Sequence, residues 1–558
     1  MGETVFMAVA SDEARARSLR EHLDRRYGAE YDVRVEASLE AAEETLERLA
    51  LDGRAVAIVL VDWAAGAPRR NAFLARAAQL HPGVRRGANV PVGRRSSSDD
   101  VLRSAAKGIV DFWAIEPWRS PDEEFHAQIS EVLREWSRAN LPSRELVQLV
   151  GERWDRRAHE LRDLFHRNRV PHASYDAGSD DGRSILEASG VTADRLPVVV
   201  LFDGRVLVDP KNEDLAEALD VRTRPDPGRY DVGVVGGGPA GLAASVSGTS
   251  EGLRTALFER EAMGGQAGTT SLIRNYLGFP RGVSGGDLMQ RAYEQAWLFG
   301  TEFVYTNEAE RLRADGADRV IVLADGTEVM TRAVILASGV AYRRLGIPSL
   351  ESLTGAGVFY GAAVTEATAM EGEDVYVAGG GNSAGQAAVH LARYAKRVTV
   401  VVRSDSLSES MSEYLIAELA ALPNVDIRFS TEVVDGSGDG RLASLTVRDV
   451  RTDERSIVPA AALFVLIGAE PRTDWLPDEI ATDRWGYVLT GRDLIEASAA
   501  WPLDRPPLPL ETSMPGVFAA GDVRHGSVKR IASAVGEGSI AVRLVHEYLQ
   551  LSKERDVR

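Results

Sequence analysis

The chain has 558 residues and a mass of 60.4 kDa, more than a single hydrophobic core organises, so several domains are expected. Its 65 Lys and Arg against 83 Asp and Glu leave a net charge of −18, which argues against a nucleic-acid partner. No apolar run reaches the ~18 residues of a membrane span, no basic and apolar leader opens the sequence, and there is no cysteine. The expectation is a cytoplasmic protein with no membrane partner, no thiolate metal site and no cysteine nucleophile.

Residues 1–140 alternate short apolar strands with amphipathic helices. "TVFMAVA" leads into a helix from Asp12 to Tyr27, "YDVRVEA" precedes "LEAAEETLERLALDG", and "AVAIVLVDW" brings a strand to Asp62. This is a doubly wound α/β pattern, and it resembles the receiver domain of response regulators, with Asp62 at the phosphoacceptor position. The resemblance places the acidic metal-binding pair near Ala10 and Ser11, with Asp12 and Glu13 displaced towards the helix. The hydroxyl position is Val90, and Glu116 stands where a lysine should precede Pro117 and Trp118. A carboxylate without metal ligands or that lysine has little to neutralise a phosphate dianion. A pseudo-receiver used for docking or dimerisation is the favoured reading, and phosphotransfer the alternative.

Residues 143–222 hold a smaller βαβ unit: "ELVQLVG", then "DRRAHELRDLFHRNRV", then the hairpin "RLPVVVLFDGRVLVDP" opened by Leu196-Pro197, a turn or cis peptide. It resembles the thioredoxin/glutaredoxin fold, but "ERWDRRAH" occupies the place of the redox cysteines, so it cannot exchange disulfides. The Pro-rich stretch around 223–229 reads as a linker.

From Tyr230, "YDVGVVGGGPAGLAASVSGTSEGLRTALFERE" runs strand, Gly236-x-Gly238-x-x-Gly241, helix, and a second strand ending at Glu259. The glycines allow the tight turn and the approach of backbone N–H groups to a pyrophosphate, and the acid accepts from ribose hydroxyls. The pattern recurs at "DVYVAGGGNSAGQAAVHLARYAKRVTVVVRSDS" as Gly379-x-Gly381-x-x-Ala384, where Arg403 replaces the acid. An arginine there pairs with a 2′-phosphate, which favours NADPH over NADH; an ordinary exposed arginine is the plainer alternative.

With "GGQAGTTSLIRNYLGFP", "VILASG", "VLIGAEPRT" and "PGVFAAGDV" added, the stretch from about Tyr230 to Leu549 resembles the low-molecular-weight thioredoxin reductases, FAD-dependent pyridine nucleotide oxidoreductases. The whole arrangement is similar to the fused response regulator/thioredoxin-disulfide reductases. The resemblance implies an FAD domain at 230–345 and 470–550, with an NADPH domain at 346–469 inserted into it. It also implies a homodimer, and an NADPH domain that moves between two orientations. By position, Gly236, Gly238, Pro239, Ala240 and Gly241 should cradle the FAD pyrophosphate, and Glu259 its adenosine ribose. Gly265, Gln266 and Asn275 should line the flavin side, Gly521 and Asp522 the pyrophosphate and ribityl chain, and Arg530, Ile531 and Ala532 the isoalloxazine ring. Gly379, Gly381, Asn382, Ser383, Ala384 and Arg403 should hold NADPH.

The redox pair of that family follows an aromatic residue before the second Gly-rich loop. Aligned on Tyr360, its positions are Gly361 and Val364, within "GAAV". Without a thiolate beside the flavin, the usual route to a protein disulfide is absent. Thr365 or Glu366 falls near the family's acidic position, with a helix N-cap as the alternative role. His525 is the candidate proton donor by its ordinary pKa range, against the plainer reading of a solvated loop histidine. Three functions stay open. They are an NADPH-dependent flavoprotein with a non-disulfide acceptor (oxygen, a quinone, a ferredoxin or a small molecule), a non-enzymatic FAD- or NADPH-responsive sensor or scaffold, and, least favoured, disulfide reduction.

Overall fold

The computed structural model describes residues 4–556 apart from 64–66, 92–94, 107, 117–121, 141–144, 153, 271, 280–281 and 362–365. The chain forms two compact units, Met1–Arg144 with Ser412–Pro423, and Glu145–Met411 with Asn424–Arg558.

In the first unit five parallel strands lie in the order Asp32–Glu36, Val5–Val9, Val56–Asp62, Arg85–Val90, Phe112–Ile115. The sheet is doubly wound, as the alternating pattern predicts. Val5–Val9 and Val56–Asp62 are buried at every residue, because helices cover both faces of the sheet. Asp12 and Ser38 cap the helices Glu13–Tyr27 and Leu39–Leu51 by accepting from Arg15 N and Ala41 N.

The second unit opens with a small module whose strands lie in the order His172–Asp176, Val147–Gly151, Val198–Leu201, Val206–Val208. The helix Arg156–Arg167 crosses over between the parallel pair, and the Leu196–Pro197 peptide is cis. The stretch after it is not a free linker. The Arg222 carbonyl accepts from Tyr305 N, the Thr223 carbonyl from the Asn307 amide, and Arg224 pairs with Asp325.

Two nucleotide-type lobes complete this unit. In the first, Glu302–Tyr305, Thr255–Glu259, Tyr230–Val235 and Glu328–Leu336 are parallel neighbours, with Val517–Ala519 beyond them and an antiparallel extension at 309–323. In the second, the parallel order is Val358–Tyr360, Ala462–Val465, Asp374–Ala378, Arg397–Val401, Val425–Arg428. The second lobe is inserted into the first, and an antiparallel pair, Val340–Tyr342 with Ala469–Pro471, carries the two crossings. No helix among the described residues is long and apolar enough to cross a membrane.

Candidate functional site

The first Gly-rich turn joins the strand Tyr230–Val235 to the helix Pro239–Ser250. Gly236 has φ 107°, and a Cβ there would stand 2.3 Å from the Ala337 carbonyl oxygen. A Cβ on Gly241 would stand 1.8 Å from the Gly236 carbonyl oxygen, so only glycine lets the helix start this close to the turn. A Cβ on Gly238 would meet nothing within 4 Å: the space above it is open, as a cradle requires. Gly238 is also the N-cap of a helix with Pro239 in its first turn, and no side chain caps it. Its backbone donors and the helix dipole favour an anion there.

Glu259 ends the next strand and is buried. Its Oε2 accepts from Gly237 N at 2.7 Å, and its Oε1 from Glu261 N at 2.8 Å. The acid thus braces the Gly-rich loop; its Oε1 also accepts from Ala262 N at 3.3 Å, and its Oε2 keeps a second lone pair for a hydroxyl. Gly265 closes on the same opening, its Cβ position 3.2 Å from Gly238 Cα, and Gln266 Nε2 donates to the Val340 carbonyl at 2.5 Å. Asn275 stands exposed on its loop, and no hydrogen bond among the described residues ties it to this cleft.

"GDV" arrives from the far end of the chain. Gly521 (φ 77°) packs its Cβ position 3.0 Å from Ala240 Cβ. The helix Ile531–Asp556 lies against Pro239–Ser250 so tightly that a Cβ on Gly538 would be 2.1 Å from the Ala240 carbonyl oxygen. Ala240 therefore packs beside Gly521 and against the last helix, at whose start Arg530, Ile531 and Ala532 stand. Burial raises the Asp522 pKa, and the nearby Lys529 ammonium opposes that rise. These donors and this half-buried acid fit FAD: N–H groups for a pyrophosphate, and acceptors for ribose and ribityl hydroxyls.

The second turn repeats the geometry. Gly379 has φ 144°, and its Cβ position lies 2.3 Å from the Leu466 carbonyl oxygen and 3.3 Å from Ala384 Cβ. The last position thus admits a methyl, which is why Ala384 replaces glycine. Gly381 is the N-cap of Asn382–Leu391, with no side-chain cap, and its Cβ position meets only the Ser410 carbonyl oxygen, at an ordinary 3.8 Å. Asn382, Ser383 and Arg403 are exposed, and no hydrogen bond or ion pair to Arg403 occurs among the described residues. Ser410 holds the loop by donating to the Gly380 carbonyl at 2.8 Å. This cradle fits NADPH.

His525 is not a free loop histidine. Its Nδ1 lies 2.7 Å from Asp483 Oδ2, and its backbone N–H donates to the Val488 carbonyl. Burial alone would raise the Asp483 pKa, but the His525 bond and the N–H groups of Trp485 and Tyr487 outweigh it and lower the value.

Of the positions aligned with the redox pair, Val364 lies outside the described residues, as do Ala362, Ala363 and Thr365. Gly361 has φ 115°, and a Cβ there would stand 2.6 Å from the Tyr342 ring. Glu366 is buried, and its Oε1 is bonded to His159 Nδ1 of the small module at 2.7 Å. The His159 ring packs against Phe359 with centroids 5.1 Å apart.

In the first unit Asp62 is buried at the end of its strand. Ser11 Oγ donates to its Oδ2 at 2.6 Å and Arg15 Nη1 at 2.7 Å, while Arg15 Nη2 reaches Glu116 at 3.1 Å. Arg15, a partner the sequence reading does not name, thus pairs with the carboxylate itself and is shared with Glu116. Its place four residues after Ser11, on the first turn of a helix, was the available signal. Val90 is buried, and Pro117 and Trp118 lie outside the described residues. No group of three or more His, Asp or Glu among the described residues could hold a metal ion.

Two dinucleotide cradles, one inserted into the other's lobe, define a two-nucleotide oxidoreductase. Residues 230–538 match the model of the pyridine nucleotide-disulphide oxidoreductases, and the chain belongs to that family. It is 34% identical over 328 residues to the thioredoxin reductase of Bacillus subtilis, covering 58% of this chain and 96% of that one. It is 32% identical over 321 residues to a 34.2 kDa protein in the rubredoxin operon of Clostridium pasteurianum, covering 58% and 97%. Among solved structures it is similar to the thioredoxin reductase of Lactococcus lactis in its FR conformation, with TM-score 0.52, 28% identity, and 57% and 98% of the two chains covered. Thioredoxin-reductase-like members of the family use FAD and NADPH.

Proposed function

We propose that the chain is an NADPH-dependent FAD oxidoreductase that delivers electrons to a non-disulfide acceptor. The observation that carries this reading is a complete pair of cradles in a chain without a single cysteine. FAD and NADPH, when bound, supply the hydride chemistry themselves. The residues bind and orient. Gly236–Gly241 and the N-terminus of Pro239–Ser250 take the FAD pyrophosphate, Glu259 the ribose, and Asp522 the ribityl side. Gly379–Ala384 take the NADPH pyrophosphate, and Arg403 pairs with its 2′-phosphate.

Oxygen, a quinone, a ferredoxin or another small molecule is the acceptor class in this reading. A homodimer belongs to it as well, supported by the exposed Leu277, Trp297, Leu298 and Phe299 on the FAD lobe. The first unit acts as a receiver-like docking domain whose Asp62 is neutralised by Arg15. Label incorporated from acetyl phosphate at Asp62 would contradict that part.

The decisive experiment is rapid anaerobic mixing of the FAD-loaded protein with NADPH, then reoxidation by air, quinone or ferredoxin. Bleaching of the flavin, followed by recovery with one of them, is expected. A flavin that stays oxidised ends the enzyme reading and leaves the sensor.

A further inference from the structure

The helix Arg156–Arg167 of the small module touches both nucleotide lobes from its two ends. At its start Arg156 lies against Gly355, whose Cβ position is 3.1 Å from Arg156 Cα, and Trp154 lies under the Arg441 guanidinium at 5.5 Å. One turn on, His159 bonds Glu366 and packs on Phe359, which stacks on Phe464 of the same lobe at 5.1 Å. At its end Arg167 pairs with Glu261 at 3.1 Å, Asn168 donates to the Glu261 carbonyl, and Arg169 pairs with Asp287 at 2.7 Å, all on the other lobe. Glu261 is also held by Arg472, next to the crossing strands, at 3.2 Å. A twelve-residue helix is a rigid rod ~18 Å long, so its two ends fix the two lobes to each other.

We infer that this module is the resident occupant of the face around Phe359 and Glu366, and that the enzyme therefore serves a small two-electron acceptor rather than a docked protein. The inference rests on the oxidoreductase reading and names its acceptor class. Any protein docking on the face around Phe359 and Glu366 must displace the His159 end of the helix; a quinone-sized molecule need not. The reaction is NADPH + H⁺ + quinone giving NADP⁺ + hydroquinone, with the hydride pair from NADPH and the second proton from solvent.

The test uses the full FAD-loaded chain. The Cβ position of Gly355 is 3.6 Å from Arg156 Cβ, within the ~3.5–4.5 Å range of a disulfide, so Arg156→Cys with Gly355→Cys staples the module to the lobe. With no other cysteine the bond is unambiguous. The stapled, oxidised protein is expected to reduce menadione at the rate of the same protein reduced with dithiothreitol and then freed of it, within about twofold. A tenfold or greater loss on stapling, reversed by dithiothreitol, overturns the inference.

Gly355 has φ 82°, which disfavours cysteine, so amide exchange of the unsubstituted protein provides a second measurement. The 156–167 amides are expected to stay protected when NADPH is added, and loss of protection overturns the inference. His159→Ala with Arg167→Ala should raise transfer to ferredoxin-coupled cytochrome c while leaving menadione unchanged. No gain, or parent protein that already serves ferredoxin as fast as menadione, also overturns it. If NADPH is not consumed with any acceptor, the oxidoreductase reading itself has failed; if it is consumed and only the staple stops it, the acceptor inference alone has.

Discussion

Two glycine substitutions in the first cradle separate binding from folding. The Gly238 Cβ position is open, whereas the Gly241 one lies 1.8 Å from a backbone oxygen. Gly238→Ala should leave the apoprotein as stable as the parent and place a methyl where the pyrophosphate must approach. Overpacking of that kind costs about 1–3 kcal/mol, or roughly 5- to 150-fold in FAD affinity. Gly241→Ala has no flexible side chain to push aside, so the helix Pro239–Ser250 must retreat from the turn. About 3 kcal/mol of lost stability is expected, a fall of roughly 6–12 °C in the apoprotein's Tm. Titration of apoprotein with FAD, read by flavin fluorescence, and calorimetry without FAD give the two numbers. Gly238→Ala protein that binds FAD as tightly as the parent would refute the placement of the pyrophosphate.

Arg403→Ala should reduce kcat/KM for NADPH by about 10- to 100-fold, the ~1.5–3 kcal/mol of a charge-assisted bond, and leave NADH unchanged; equal losses with both coenzymes would sink the 2′-phosphate assignment. Burial alone would raise the Glu261 pKa, but Arg472, Arg167 and Arg260 hold it at about 2. Its folded value is depressed, so its contribution, about 2–3 kcal/mol, is present above the unfolded pKa and is lost as pH falls from roughly 4.5 towards 2. Glu261→Gln should thus be destabilised at neutral pH and converge with the parent near pH 2–3 in denaturant titrations; a pH-independent gap would contradict the triad. Gly361→Cys with Val364→Cys should not create NADPH-dependent disulfide reduction, because a side chain at 361 meets Tyr342 at 2.6 Å and a φ of 115°. Turnover of a small aromatic disulfide by that variant would show the site to be only chemically emptied.

The lobes were legible because their signals are local. Gly236-x-Gly238-x-x-Gly241 and Gly379-x-Gly381-x-x-Ala384 each sit where a short apolar strand gives way to a helix, and Glu259 and Arg403 follow at strand ends. What stayed illegible depends on partners far apart in sequence. His525 finds Asp483 42 positions away, and His159 finds Glu366 207 positions away. Neither pairing leaves a spacing to read. The stretch at 222–224 has a linker's composition, yet Glu302, Asn307 and Asp325 anchor it because the lobe beneath presents them. Gly361 looked like a lost cysteine and nothing more. Only its left-handed backbone and the Tyr342 ring reveal that the site has no room for the side chain.

That last point bears on how the two lobes can move. Turning one against the other must break either the Glu261 knot with Arg167 and Arg472 or the His159–Glu366 contact, since the Arg156–Arg167 helix spans both. Separating one such half-buried charge from its partner costs about 3–5 kcal/mol. At that cost a turned arrangement is populated at roughly 0.02–0.6% of molecules. A reductase that must shuttle a thiol pair between flavin and substrate in every cycle would be slowed by the same factor. A flavoprotein with no thiols to present loses nothing by it, and the strut that would handicap the one enzyme is compatible with the other. In the proposed non-disulfide reading, the absent cysteines and the anchored helix belong to one and the same route by which electrons leave.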